Sequence, residues 1–162
     1  MVNCALFLGE NKMRLRKRSK FGVDVTPSGK KKRTFEGRVF DSELELKIYR
    51  DYLLPLKASG DILDIKLQKE YILQKGFTKN GKKILPIKYI ADYVITYADG
   101  HVEVWDAKGR PDATALMKRK MFDYVYSDLI LRWVCISLVD GGIIDYDDLQ
   151  KARKERKKAK KK

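Results

Sequence analysis

Ile87-Lys88-Tyr89-Ile90-Ala91-Asp92-Tyr93-Val94-Ile95-Thr96-Tyr97, then Ala98-Asp99-Gly100, then His101-Val102-Glu103-Val104-Trp105-Asp106-Ala107-Lys108-Gly109, reads as two β-strands joined by a short turn. Both runs are rich in β-branched and aromatic residues, and the break between them carries turn residues. The length of the turn decides where the acids point. With a two-residue loop, Asp99-Gly100, Asp92 would stand opposite Ala107 and Asp106 would fall on the other face. With a three-residue loop, Ala98-Asp99-Gly100, Gly100 supplies the left-handed bulge residue and the register moves by one. Asp92 then stands opposite Asp106.

In that register one face carries Ile90, Asp92, Val94, Val102, Val104, Asp106 and Lys108, and the other Tyr89, Tyr93, Ile95, Tyr97 and Trp105. Two opposed carboxylates on a largely apolar face repel unless a cation lies between them. Oxygen ligands alone suit a hard divalent ion such as Mg²⁺ or Mn²⁺, completed by water and substrate phosphate. Lys108, on the face of Asp106, is placed to orient or deprotonate an attacking water and to offset charge on phosphorus. Together these groups suit phosphodiester hydrolysis. The plainer alternative is that Asp-x-Lys at a strand end is surface decoration, although acids on a strand pair covered on both sides are harder to read as solvated.

Upstream, Phe40-Asp41-Ser42-Glu43-Leu44-Glu45-Leu46-Lys47-Ile48-Tyr49 opens a helix, with Leu46, Tyr49, Leu53 and Leu56 at helical spacing and Pro55 limiting its regular part. Ser42-x-x-Glu45 has the form of a capping box, which would employ Glu45 locally. The other reading sends Glu45 into the acid site, and both stay open on sequence alone.

The ordered set of Glu45 on a helix, Leu67-Gln68 on a strand, Tyr89-Ile90-Ala91-Asp92, a short hairpin and Asp106-Ala107-Lys108-Gly109 resembles the PD-(D/E)XK nuclease superfamily. Within it the chain is similar to small bacteriophage endonucleases of the junction-resolving endonuclease I kind and to endonuclease subunits of heteromeric transposases. The resemblance covers roughly residues 34–126, and Thr114-x-x-x-Lys118-x-Lys120-x-Phe122 adds a basic helix after the motif. It implies Asp92 and Asp106 as metal ligands with the Ala107 carbonyl, Lys108 as catalytic lysine, Glu45 as the helix-borne acid, and Lys118 and Lys120 as nucleic-acid contacts. It further implies a Mg²⁺-dependent DNA endonuclease, with Mn²⁺ able to substitute, cleaving branched DNA in the manner of a Holliday junction resolvase in bacteriophage DNA recombination. Cutting both sides of a junction needs two sites, hence a homodimer. The proline that names the motif is Ala91 here, and its second acid is an aspartate. Alternatives are a nicking or site-specific nuclease subunit of a larger complex, and a non-catalytic basic nucleic-acid-binding protein.

Charge points to the same class of partner. The chain of 162 residues carries a net charge of +14, yet residues 34–150 hold 17 basic against 19 acidic side chains. The excess lies in a basic N-terminal arm, residues 1–33, with Arg16-Lys17-Arg18 and Lys30-Lys31-Lys32-Arg33, and in a polybasic tail, residues 151–162. Such segments bind phosphate backbone, with affinity that falls steeply with salt. A solubility tail or an acidic protein partner would have the same composition.

Several classes are set aside. No run is long enough to span a membrane, and residues 1–9 lack the basic segment of a secretory signal, so residence in the cytoplasm, of a host bacterial cell if phage-encoded, is expected. Cys4 and Cys135 are too few for a disulfide framework or zinc cluster. A single histidine, His101, excludes His-rich metal fingers, and no phosphate-binding glycine loop suggests a nucleotide cofactor. The remaining elements, strands within Asp61–Leu73, a helix from Pro111-Asp112 to about Tyr126, and a strand from Leu129 to Val139, complete an α/β layout. A mixed central β-sheet flanked by helices, a restriction-endonuclease-like core spanning residues 34–150, is the expected architecture.

Overall fold

The computed structural model describes residues 23–160. It divides into two units between Asp41 and Ser42. The first holds α1 (Pro27–Lys32) and a two-stranded ribbon of β1 (Thr34–Phe35) and β2 (Arg38–Val39). Thr26 caps α1 by accepting from the Gly29 amide at 3.2 Å, and Pro27 starts the helix where no amide hydrogen is needed. Arg33 is buried, donating to the carbonyls of Phe40, Asp41 (3.2 Å) and Asp24 (3.1 Å). The last residue of the Lys30–Arg33 run is therefore structural, while Lys31 and Lys32 are exposed.

The second unit is the expected mixed sheet. Its strands β3 (Ile62–Gln74), β6 (Ile87–Tyr97), β7 (Val102–Ala107), β8 (Ile130–Ser137) and β9 (Gly142–Asp145) lie in the order β3-β6-β7-β8-β9. All neighbours are antiparallel except β7 and β8. That parallel pair needs a crossover, which α4 (Ala113–Val125) supplies from an Asp112 cap accepting the Ala115 amide at 2.7 Å. A small ribbon, β4 (Phe77–Lys79) and β5 (Lys82–Ile84), turns at Asn80-Gly81, both left-handed.

Apolar side chains leave the sheet on both faces. On one, Tyr71, Leu73, Tyr89, Ala91, Val94, Val104, Leu131 and Trp133 surround Phe122 of α4. Phe122 is fully buried and meets the Tyr71 ring edge-on, centroids 4.9 Å apart. Truncating it to alanine would cost about 3–5 kcal/mol. On the other face Tyr93, Ile95, Trp105 and Val134 pack with Ile48 and Leu53. Those two lie on a helical stretch that is regular in α2 (Glu43–Ile48), widens to a π-turn over Tyr49–Leu53, and resumes as α3 (Leu54–Ala58). Pro55 cannot donate to the carbonyl four residues back and its ring crowds that carbonyl, which accounts for the widening just before it. The helix opened by Ser42 thus reaches past Pro55 rather than ending there.

One expectation about the sheet faces is corrected. Tyr89 packs with Val94 and Val104, not with Tyr93 and Trp105. The alternation switches within β6 at Asp92, and in β3 Leu67 belongs to one face while Tyr71 belongs to the other. Between them Gln68 has φ +54°, a left-handed residue that rotates the strand. Ile90, placed on the acid face by simple alternation, is 49% exposed. Elsewhere, among the described residues, no helix is long and apolar enough to cross a membrane.

Candidate active site

The β6–β7 turn adopts the three-residue form. Tyr97 N–H donates to His101 O at 3.0 Å and Gly100 N–H to Tyr97 O at 3.0 Å, with Gly100 at φ +89°. The pairs Thr96↔Val102, Val94↔Val104 and Tyr93↔Trp105 follow. The ladder ends there, and Asp92 and Asp106, the next residue on each strand, have side chains that interact.

Asp92 is held from two directions. Gln68 Nε2 donates to its Oδ1 at 3.1 Å, and the Ala107 amide donates to its Oδ2 at 2.8 Å. Asp106 is 3% exposed, and its Oδ2 accepts no well-aligned hydrogen bond but is met by the Lys108 ammonium as an ion pair. Burial pushes the Asp92 carboxyl up to about 8, helped by the Asp106 and Glu45 charges and opposed by the Ala107 amide and Lys108. Burial likewise pushes Asp106 up, against the pull of Lys108 and of the Tyr89 hydroxyl. The two acids therefore resist carrying full charge together unless a further cation joins them.

Glu45 is the helix cap, and its charge also reaches Asp92. Ser42 Oγ accepts from the Glu45 amide at 3.1 Å and donates to Glu45 Oε1 at 2.8 Å, which caps α2. The same carboxylate is buried and close enough to Asp92 for its charge to raise that group. Tyr93 OH ties the Glu45 carbonyl to β6 at 2.7 Å, fixing the helix to the strand that carries Asp92.

Lys108 is positioned through its main chain by β8. Its amide donates to Val134 O at 2.9 Å, and Cys135 Sγ donates to its carbonyl at 2.7 Å. Its ammonium lies 5.5 Å from the centre of the Trp133 ring. Arg119 of α4 stacks over the same ring at 4.7 Å and pairs with Asp147 at 2.8 Å. Trp133 in turn donates Nε1–H to Tyr89 OH at 2.8 Å, and Tyr89 sits beside Asp106.

Glu45, Asp92, Asp106 and Lys108 are thus brought together, with Ala107 joined to Asp92. Gln68, Tyr89, Arg119, Trp133 and Cys135 complete the surroundings and had no role assigned from sequence. Of these, Gln68 and Tyr89 were named within the quoted motifs, without a role. On α4 the cation reaching this face is Arg119, while Lys118 is half-buried and Lys120 exposed. Arg16, Lys17 and Arg18 lie outside the described residues.

Among the described residues, no three His, Cys, Asp or Glu side chains converge as a ready ion cage. The donor chemistry nonetheless fits a hard divalent ion, being all oxygen and including the buried Asp106 Oδ2, which accepts no aligned bond.

Residues 27–140 match a family model described as a protein of unknown function, DUF1064. The chain belongs to the DUF1064 family. The matched span contains Glu45, Gln68, Asp92, Asp106, Lys108, Arg119 and Trp133, so the whole acid site lies within the matched residues. No curated protein and no solved structure gives a significant match.

Proposed function

We propose that this DUF1064 chain is a Mg²⁺-dependent DNA endonuclease, acting on branched DNA as a homodimer. The observation that carries the reading is the juxtaposition of Asp92 on β6 and Asp106 on β7, the first half-buried and the second buried, with Lys108 against Asp106 and Glu45 near Asp92. Two carboxylates set together with so little solvent around them are destabilising in themselves and serve no evident packing purpose.

Asp92 and Asp106 would hold the ion, with the Ala107 carbonyl as a main-chain donor; Mn²⁺ suits the same oxygens. When bound, a divalent ion polarises the phosphate and lowers the pKa of attacking water. Gln68 and the Ala107 amide fix the Asp92 carboxylate so that little reorganisation is needed. Lys108, paired with Asp106, would orient the water and offset negative charge on phosphorus. Glu45, buried and close to Asp92, adds a third negative charge near the pair. The basic segments outside the sheet supply sequence-independent grip on the backbone.

The test is cleavage of a labelled four-way junction and of a linear duplex of equal sequence, in Mg²⁺ or EDTA, by wild type and Asp92→Asn. The proposal expects paired, Mg²⁺-dependent cuts near the branch that fall at least a hundredfold in the variant, with binding retained. Tight binding without cleavage in Mg²⁺ or Mn²⁺ would leave the non-catalytic binding reading, or a nuclease subunit that needs a larger complex.

A further inference from the structure

Leu138 and Val139 are 87% and 82% exposed, among the most exposed large apolar side chains in the described residues. They sit side by side in a single 3-10 turn, Leu138–Asp140, at the end of β8. The turn is firmly tied down. Asp140 accepts from Ser137 Oγ at 2.6 Å and from both terminal nitrogens of Arg156, at 2.6 and 3.1 Å. Behind it, Gly141 and Gly142 have φ +90° and +106°, and a Cβ on Gly142 would come within 3.2 Å of the Tyr52 hydroxyl. Two bulky apolar groups are thus held out into water by a preorganised turn rather than by a slack loop.

Arg156 belongs to α5 (Tyr146–Ala159), and this association indicates what the tip meets. Seven of the ten residues from Lys151 to Lys160 are Lys or Arg. Arg153 and Lys160, three before and four after Arg156, share its side of the helix and are both exposed. Arg153 is near enough to Asp140 to help lower its carboxyl, behind the larger effects of Arg156 and Ser137. A rigid apolar tip beside a row of cations matches the way some proteins wedge a side chain between stacked bases while cations hold the flanking phosphates.

We infer that Leu138 and Val139 form a base-step wedge that enters DNA at an unstacked or branch-point step, with α5 seated on the adjacent phosphates. The inference rests on the DNA-binding part of the proposed function and adds a contact remote from the acid pair. It is independent of whether the acids cleave.

The test uses the full chain in EDTA with a four-way junction and a linear duplex, each carrying 2-aminopurine at the central step. Wild type, Leu138→Ser/Val139→Ser and Arg153→Glu/Lys160→Glu are compared, with thermal melts as a check that each folds. The wedge reading expects wild type to raise 2-aminopurine emission. The serine pair should lose that rise and bind about tenfold more weakly at unchanged salt slope, because an apolar contact releases no counterions. The glutamate pair should instead flatten the salt slope. Equal emission and affinity for the serine pair and wild type would overturn the wedge while leaving the proposed function standing. Failure of wild type to bind either DNA would overturn both. Anionic phosphatidylglycerol vesicles form the last arm, and loss of vesicle sedimentation by the serine pair without any change on DNA would reassign the tip to membrane insertion.

Discussion

Gln68 Nε2 donates to Asp92 Oδ1 at 3.1 Å from a backbone at φ +54°. The same residue therefore rotates β3 and holds the acid. Its two tasks separate by substitution. Gln68→Gly keeps the left-handed backbone without strain, whereas Gln68→Ala does not, and the alanine variant should be less stable by about 1 kcal/mol. Both lose the amide donor and should lose cleavage equally, by about tenfold. Urea melts read the first effect and single-turnover cleavage the second. Equal stability of the two variants would show that the backbone at position 68 relaxes.

The acid pair makes metal-free stability depend on pH. In the unfolded chain Asp92 titrates near its ordinary 3.8, while in the fold burial first, then Asp106 and Glu45, push it up to about 8. Between those values the folded form keeps a proton that the unfolded form has released, so stability is full below the lower value and declines as pH rises through the upper. Melting temperature in EDTA should fall from pH 5 to pH 8.5. Asp92→Asn should flatten that decline, and excess Mg²⁺ should raise the wild-type melting temperature most at the alkaline end. A flat wild-type profile in EDTA would remove the electrostatic argument for the site.

Glu103 gives the opposite slope. Burial opposes its ionisation, but the Trp105 Nε1–H at 2.6 Å, Arg132 at 3.1 Å and Tyr97 OH at 3.1 Å hold the carboxylate below its usual range. Its contribution is present above the ordinary carboxyl value and is lost as pH falls through the depressed one. Glu103→Gln should cost about 1–3 kcal/mol at pH 7, and the gap to wild type should narrow on acidification. Denaturant melts at pH 7 and pH 3.5 measure it.

Arg119 tests the coupling of α4 to the site. Arg119→Ala removes a cation over Trp133 and the pair with Asp147, and should cost about 0.5–2 kcal/mol. Arg119→Lys keeps the charge but not the stacked plane, so it should recover less than half of the loss. If Trp133 orients Tyr89 beside Asp106, both variants shift the pH profile of cleavage as well as its rate, which a purely packing role would not do.

The strand pair and its acids were legible because their signals are local. Ala98-Asp99-Gly100 offers a glycine where the bulge needs it, and pairing then carries Asp92 opposite Asp106 by counting. The partners of those acids were hidden for a different reason. Gln68 adopts a conformation usually left to glycine, and nothing in its neighbours announces it. Because the alternation changes there, Tyr89 could not be assigned to the acid face by parity. Arg119 and Trp133 meet through the parallel crossover, and Cys135 reaches Lys108 through the pairing of β7 with β8. Those contacts arise only when distant segments are docked. The π-turn at Tyr49–Leu53 was hidden in the same way, since Pro55 signals an interruption without saying whether the helix stops or widens.

The three residues Ala98-Asp99-Gly100 also have a meaning for descent. Removal of a single codon from that turn would leave Glu45, Asp92, Asp106 and Lys108 all in the gene, while rotating one acid away from the other. Within the DUF1064 family, a relative can therefore retain every residue of the site and still not assemble it. Turn length, beside residue identity, decides whether a relative can bring the two acids together.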